Sequence, residues 1–133
     1  SLPSGYKRRE YIQSSGTQYI DTGFKPNNNT KVVIAFELTE NTGKHQIIFG
    51  ARSSSSSGQY VLGFTGHRSP AVWRSDFGSN QVTFSSNLTW SGNHNATKNG
   101  NICTLDAESV TNTASTFEST VNLLICAGNT GDN

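Results

Sequence analysis

The sequence is poor in charged residues, which make up 14% of its 133 residues, and its formal net charge is only +1. Such a balance provides no basic surface that would attract nucleic acid or an anionic membrane. The basic cluster Lys7-Arg8-Arg9 is interpreted as a solvated flank before the first strand. No apolar run reaches the ~18 residues that a membrane span requires. The sequence therefore predicts a protein that neither binds nucleic acid nor inserts into a membrane.

Cysteine is scarce, and its spacing excludes a cysteine-based metal site. Cys103 and Cys126 are the two cysteines; neither lies in a CxxC motif, and no nearby His or Cys completes a zinc site. A disulfide would require their Cα atoms to come within about 7 Å. We favour two small buried thiols and keep the disulfide as the alternative.

Polar residues of four kinds dominate what is present: Ser, Thr, Asn and Gly account for close to half of the chain. Ser, Thr and Asn compete for backbone hydrogen bonds in helices but suit strands, turns and loops. Thirteen aromatic residues and short runs of Val and Ile supply the apolar area that folding needs. This composition is typical of an extracellular β protein.

Apolar residues alternate with a period of two along most of the chain, which predicts strands. The clearest is "TKVVIAFELTE", where Val32, Ile34, Phe36 and Leu38 share one face. The chain has about ten such segments in all, at intervals of about 8–12 residues, and no stretch shows sustained helical spacing. Tyr11–Gln13 and Thr17–Thr22 are predicted as two further short strands against the core. The pattern predicts one all-β domain over residues 1–133, an antiparallel β-sandwich or jelly roll.

Several longer strings resemble a known family. "LPSGYKRREYIQSSGTQYIDTGFKPNNNTKVVIAFELT", "IIFGAR", "VWRSDFGSN" and "NATKNGNICTLDAESVTNTASTF" are similar to the laminin-G-like, concanavalin A-like jelly-roll modules of gut-bacterial surface proteins and their prophages. The resemblance implies a non-catalytic carbohydrate-binding or adhesion domain. It also implies an extracellular location, on a cell surface or a virion such as a phage tail.

The end of the chain departs from this family. Members usually continue beyond the strand equivalent to "NLLICAG", whereas this chain ends at "NTGDN". The closing strands are therefore expected to be absent, arranged differently or donated by another chain beside the last strand, after Gly128. Donation by strand addition defines the alternative function, a structural or assembly module.

Enzymes of the concanavalin A-like fold cleave glycans with paired carboxylates on one strand face. Asp106 and Glu108 have the required spacing, but Ala107 between them is predicted to form the tip of a hairpin, which makes both acids part of a solvated turn. The three histidines are scattered and no nucleophile motif is present. We expect no enzymatic activity.

A calcium site, which related modules often carry, would need several oxygen ligands. No D-x-D-x-D loop is present, and Asp21 and Asp132 are the acids that could join such a site. We expect no cofactor.

Sugar binding requires an aromatic face flanked by amide, carboxylate or Arg groups. In "VWRSDFGSN", Arg74 and Asp76 share one strand face and Asn80 follows in the next turn, although a plain ion pair is the alternative for the first two. Trp73 lies on the opposite face, where a core position is favoured.

Two other aromatic residues complete the predicted ligand set. Trp90 lies in a turn-rich segment, and Tyr60 lies beside the serine-rich stretch "RSSSSSG", with a core position as its alternative. The segments predicted to carry specificity are Arg52–Gln59, His67–Ser69 and Ser86–His94. A glycan or another cell-surface ligand is the expected partner.

Overall fold

The computed structural model describes residue 4 and residues 11–38, 45–52, 60–68, 71–85 and 91–128. In these residues it has ten strands: β1 Ile20–Asp21, β2 Lys31–Leu38, β3 Gln46–Ala51, β4 Leu62–Arg68, β5 Ala71–Phe77, β6 Asn80–Thr83, β7 Gly92–Asn99, β8 Ile102–Leu105, β9 Glu108–Thr111 and β10 Leu124–Ile125. Across the same residues, no helix is long and apolar enough to cross a membrane.

The strands form two antiparallel sheets that pack as a sandwich, which confirms the predicted all-β, jelly-roll-like architecture. One sheet has the order β1-β10-β3-β4-β5-β6, and the other has the order β2-β7-β8-β9. Beyond β6, Ser85 donates to Glu108 of β9 through its backbone N–H (2.7 Å) and its hydroxyl (2.6 Å), which joins the two sheets along one side.

The core lies between the inward faces of the two sheets and is rich in aromatic residues. Phe64 stacks on Trp73 with ring centroids 5.2 Å apart, and Phe36 meets both rings edge-on. The inward positions follow the period of two, so that Trp73 is a core residue, as the sequence favoured. The buried core comprises Ile48, Phe49, Ala51, Leu62, Phe64, Trp73, Phe77, Phe84, Ala96, Cys103, Leu105 and Leu123.

The consecutive strands β7, β8 and β9 form the predicted hairpins. The first turn contains Gly100 and the second contains Asp106, and both residues have positive φ angles, of 57° and 52°. Gly adopts this conformation without steric cost, and Asp tolerates it better than most residues. The turn chemistry in the sequence therefore fixes this part of the four-stranded sheet.

The last strand, β10, lies inside the six-stranded sheet rather than at its edge. β10 is hydrogen-bonded on both sides, to β1 and to β3. The pairing continues irregularly, because Thr22 and Phe24 bond to Leu123, and the backbone of Pro26 accepts from Ser119. The early segment 20–28 thus runs antiparallel to segment 117–125 and pairs with the edge of β10 that faces away from β3.

The first predicted strand is absent, and the second is much shorter than predicted. Of Tyr11–Gln13 and Thr17–Thr22, only Ile20 and Asp21 belong to a strand, and Tyr11 and Ile12 are 75% and 79% exposed rather than packed on the core. A local turn provides the reason: Gln18 accepts hydrogen bonds from the backbone and the hydroxyl of Ser15. These side-chain bonds compete with strand pairing.

Candidate functional site

Arg74 and Asp76 lie together on the outer face of the six-stranded sheet, because Trp73, Ser75 and Phe77 face the core. Arg74 is half-buried, whereas Asp76 is fully buried. The Oδ1 atom of Asp76 accepts a hydrogen bond from Gln81 (2.8 Å), and Oδ2 has no partner. Burial raises the pKa of Asp76 to about 6. Arg74 and Asp76 therefore do not form the ion pair that was the alternative to a ligand-binding role for them.

Tyr60 packs on the same outer face but is only 7% exposed. Gly50 and Gly63, which are paired across β3 and β4, leave the space that its ring occupies; a Cβ atom at either position would come within 2.8 Å of a Tyr60 side-chain atom. The guanidinium carbon of Arg52 lies 5.1 Å from the ring centroid. Burial raises the pKa of the Tyr60 hydroxyl. The structure therefore brings Tyr60, Arg74 and Asp76 to one face and covers two of them.

Asn80 is separated from this group. It pairs with Phe77, and its Oδ1 atom accepts hydrogen bonds from the Asn112 side chain (3.1 Å) and the Thr113 backbone (2.9 Å). Asn80 thus anchors the segment after β9. Trp90 lies outside the described residues, as do residues 53–59, 69 and 86–90 of the three segments predicted to carry specificity.

A polar network that the sequence analysis missed lies inside the sandwich. Lys98 is fully buried, and its Nζ atom donates to Ser75 Oγ (2.5 Å) and Asn112 Oδ1 (3.4 Å) beside the ring of Phe77. Ser75 in turn donates to Asn112 (2.6 Å). Burial lowers the pKa of Lys98 to about 8. The alternation of His94, Ala96 and Lys98 along β7 was the available signal, since it places the lysine in the inward register.

The remaining candidate groups have structural partners. Asp106 binds the ring Nδ1 atom of the buried His94 (2.8 Å), whereas Glu108 accepts from Ser85, so the two acids serve different contacts. Both cysteines are free: Cys103 is buried as expected, but Cys126 is exposed, which corrects the prediction for that thiol. Among the described residues, no group of His, Cys, Asp or Glu is placed to hold a metal ion.

An open pocket of about 330 Å³ lies at the end of the sandwich where β2 begins and β7 ends. Four segments meet there: the stretch before β2, the end of β5, the β7–β8 turn and the stretch after β9. The lining residues are Asn28, Asn29, Phe77, Asn99, Gly100, Asn101, Ala114 and Ser115. None of them is charged.

Ser115 reaches the pocket because of the glycine at position 78. Gly78 has a φ of 62°, and a Cβ atom there would collide with the Ser115 hydroxyl. Two asparagine-rich turns, "PNNNT" and "KNGN", were the signal in the sequence that could have located this pocket. Each is unremarkable alone, and only the pairing of Lys31 with Asn99 brings the two together.

The pocket can form several uncharged hydrogen bonds, and the core residue Phe77, which is 2% exposed, contributes a small part of its lining. An asparagine side chain offers both an acceptor oxygen and two N–H donors, and a serine hydroxyl also does both. Asn101 uses its amide nitrogen on the Asn112 backbone, and Asn28 bonds to Asn29, which fixes part of the lining. Such a surface suits a small neutral ligand with several hydroxyl groups.

Comparison with known proteins provides no assignment: no protein-family profile, no curated protein and no solved structure matches this chain. The resemblance to laminin-G-like modules therefore remains a prediction from the sequence.

Proposed function

We propose that this protein is a non-catalytic binding module that holds a neutral sugar in the asparagine-lined pocket. The observation that supports the proposal is the lining itself: amides of Asn28, Asn29, Asn99 and Asn101 with the hydroxyl of Ser115, next to Phe77 and without charge. Sugar hydroxyls donate and accept hydrogen bonds, as amides do. The proposed location is extracellular, on a cell surface or a virion, by the resemblance described above.

The size of the pocket fits this proposal. A volume of 330 Å³ lies at the small end of the range for ligand pockets, about 300–1,000 Å³, and admits one sugar residue of a longer glycan. Its position at an end of the sandwich leaves room for the rest of the glycan in solvent. The rigid strands β2 and β7 hold the two asparagine-rich turns in place.

The test is a glycan array followed by NMR titrations with glucose, galactose, mannose and N-acetylglucosamine. The highest sugar concentration, about 50 mM, lies well above a millimolar Kd. Asn99→Ala removes an exposed lining amide and should weaken binding by about fivefold to tenfold, the value of one hydrogen bond. Asn95→Ala is the matched control: it removes an exposed asparagine from the same strand, outside the pocket lining. Absence of binding by every sugar, or equal weakening by both variants, would contradict the proposal.

A second candidate function is assembly by strand addition, and a specific observation favours it. β1 is an edge strand, and large apolar residues around it are exposed: Tyr11, Ile12, Tyr19, Ile20 and Phe24. An exposed edge with apolar neighbours is a template for a strand from another chain. Light scattering tests this second function: a protein that is monomeric at all concentrations would exclude self-assembly, whereas an obligate oligomer would support it.

A further inference from the structure

Three basic side chains meet on the outer face of the six-stranded sheet. The Nη1 atom of Arg74 lies 3.1 Å from Nδ1 and 3.4 Å from Nε2 of His67. The ring of His45 is centred 4.3 Å from that of His67, and the two ring planes are inclined at 60°. His45 is exposed, and His67 and Arg74 are half-buried, so that the cluster can be reached from solvent.

In the described part of the chain no carboxylate forms an ion pair with this cluster, although Asp76 interacts electrostatically with Arg74. Asp76, two residues from Arg74 on the same face, is fully buried and is bound to Gln81 rather than to the guanidinium. Burial and the charges of Arg74 and His45 lower the pKa of His67 to about 4, which shows that the site opposes a further positive charge.

Two buried hydrogen-bonding groups in or beside this cluster have no partner. The Nε atom of Arg74 is buried and has no partner. Thr65, which faces Arg74 in the register of β4 with β5, has a buried hydroxyl that likewise has no partner. A buried donor without a partner is unfavourable, so a ligand that accepts these hydrogen bonds would be stabilised.

We propose that Arg74, His67 and His45 form a binding site for a tetrahedral oxyanion, that is, a sulfate or phosphate group. A guanidinium and two imidazoles inclined to each other present donors in different planes, which suits tetrahedral oxygens better than the planar fork of a carboxylate. The same chemistry is offered by a free inorganic ion and by an ester group on a glycan.

This site is independent of the asparagine-lined pocket. His67 and Arg74 lie on the outer face of β4 and β5, His45 directly precedes β3, and none of the three residues lines the pocket. Loss of sugar binding in the pocket and loss of oxyanion binding here are therefore separate results.

The test titrates the intact chain with sodium sulfate, sodium phosphate, galactose 6-sulfate and galactose, and sodium chloride is added to keep the ionic strength equal. The pH is about 5.5, which lies above the lowered pKa of His67 and below the ordinary pKa of histidine. Isothermal titration calorimetry measures affinity, and NMR of the imidazole nitrogens measures protonation. We expect millimolar binding of the anions and a rise of about one unit in the pKa of His67 at saturation. Tighter binding of galactose 6-sulfate than of inorganic sulfate identifies a glycan ester as the source, and equal binding identifies the free ion.

Variants separate this site from general charge effects. Arg74→Gln should weaken sulfate binding at least tenfold, which corresponds to the loss of about one charge-assisted hydrogen bond. His45→Gln should weaken sulfate binding less, and it should not affect folding because His45 is exposed. Lys31→Gln is the matched control, because it removes one positive charge from the exposed face of the other sheet. The proposal is overturned if sulfate leaves the His67 resonances unchanged, or if Lys31→Gln weakens binding as much as Arg74→Gln does.

Discussion

The buried lysine in the core makes the stability of this protein dependent on pH in the alkaline range. Lys98 has a pKa of about 8 in the folded chain and 10.5 when exposed. Between these values the unfolded chain binds more protons than the folded chain, so the free energy of unfolding rises with pH. Below pH 8 both states hold the proton, and the full cost of burying the charge is present.

The size of the effect follows from the two pKa values. A difference of one unit corresponds to about 1.4 kcal/mol, and the proton equilibria integrate to a gain of about 2.5 kcal/mol in the free energy of unfolding between pH 7 and pH 10. Lys98→Met keeps the unbranched chain but removes the charge, so this gain should disappear. At pH 7 the variant should be close to neutral, because relief of the buried charge offsets the lost hydrogen bonds to Ser75 and Asn112.

Urea unfolding followed by tryptophan fluorescence, with a reductant present, measures the effect at pH 7, 8, 9 and 10. This range of about three pH units spans the lowered pKa of Lys98. Titration of Cys103 and Tyr60, whose pKa values are raised by burial, contributes to both proteins, so the quantity of interest is the difference between them. Lys31→Met, at an exposed position of β2, is the control and should retain the dependence. If Lys98→Met shows the same rise with pH as the unsubstituted chain, the buried-charge explanation is refuted.

Two further predictions concern the outer face of the six-stranded sheet. The pKa of Asp76 is about 6 when folded and 3.8 when exposed, so the folded chain binds more protons between these values and stability falls as pH rises from 4 to 6. Asp76→Asn should remove this fall, which amounts to about 2 kcal/mol over that range, and an unchanged denaturation profile would count against the prediction. Gly63→Ala places a methyl group 2.8 Å from the side chain of Tyr60 and should lower the free energy of unfolding, measured by heat or urea, by about 1–3 kcal/mol. In a chain that already carries Tyr60→Ala, the same substitution should not have this cost. Additive effects of the two substitutions would show that the Tyr60 ring does not require the glycine.

Local pattern in the sequence was sufficient to predict most of the strands from β2 onward and the core-facing sides of β2 and β5, but it failed at the N-terminal segment, where only Ile20 and Asp21 form a strand. The alternation in β2 and β5 placed Phe36 and Trp73 inside, and the turn residues around Gly100 and Asp106 placed the hairpins of the four-stranded sheet. These features depend on neighbours within a few residues, which is the range over which a strand period and turn chemistry act.

Exposure of the candidate ligand residues could not be predicted in this way. The two-residue alternation of a strand predicts which side of the sheet a residue faces, but it does not predict what covers that side. Arg74 and Asp76 were therefore correctly placed on one face, whereas the complete burial of Asp76 was missed. Tyr60 is buried because glycines on two different strands leave room for its ring, and that space exists only when β3 and β4 are paired.

By itself, then, the sequence determined an all-β sandwich and the core-facing sides of β2 and β5, because alternation and turns are local properties. Only the tertiary structure decided which polar side chains from different segments lie close together. Segments far apart in the chain build the asparagine-lined pocket, the basic cluster of Arg74 with two histidines and the closure of segment 20–28 on segment 117–125. Contacts between distant segments arise from the packing of whole sheets, which no short stretch of sequence encodes.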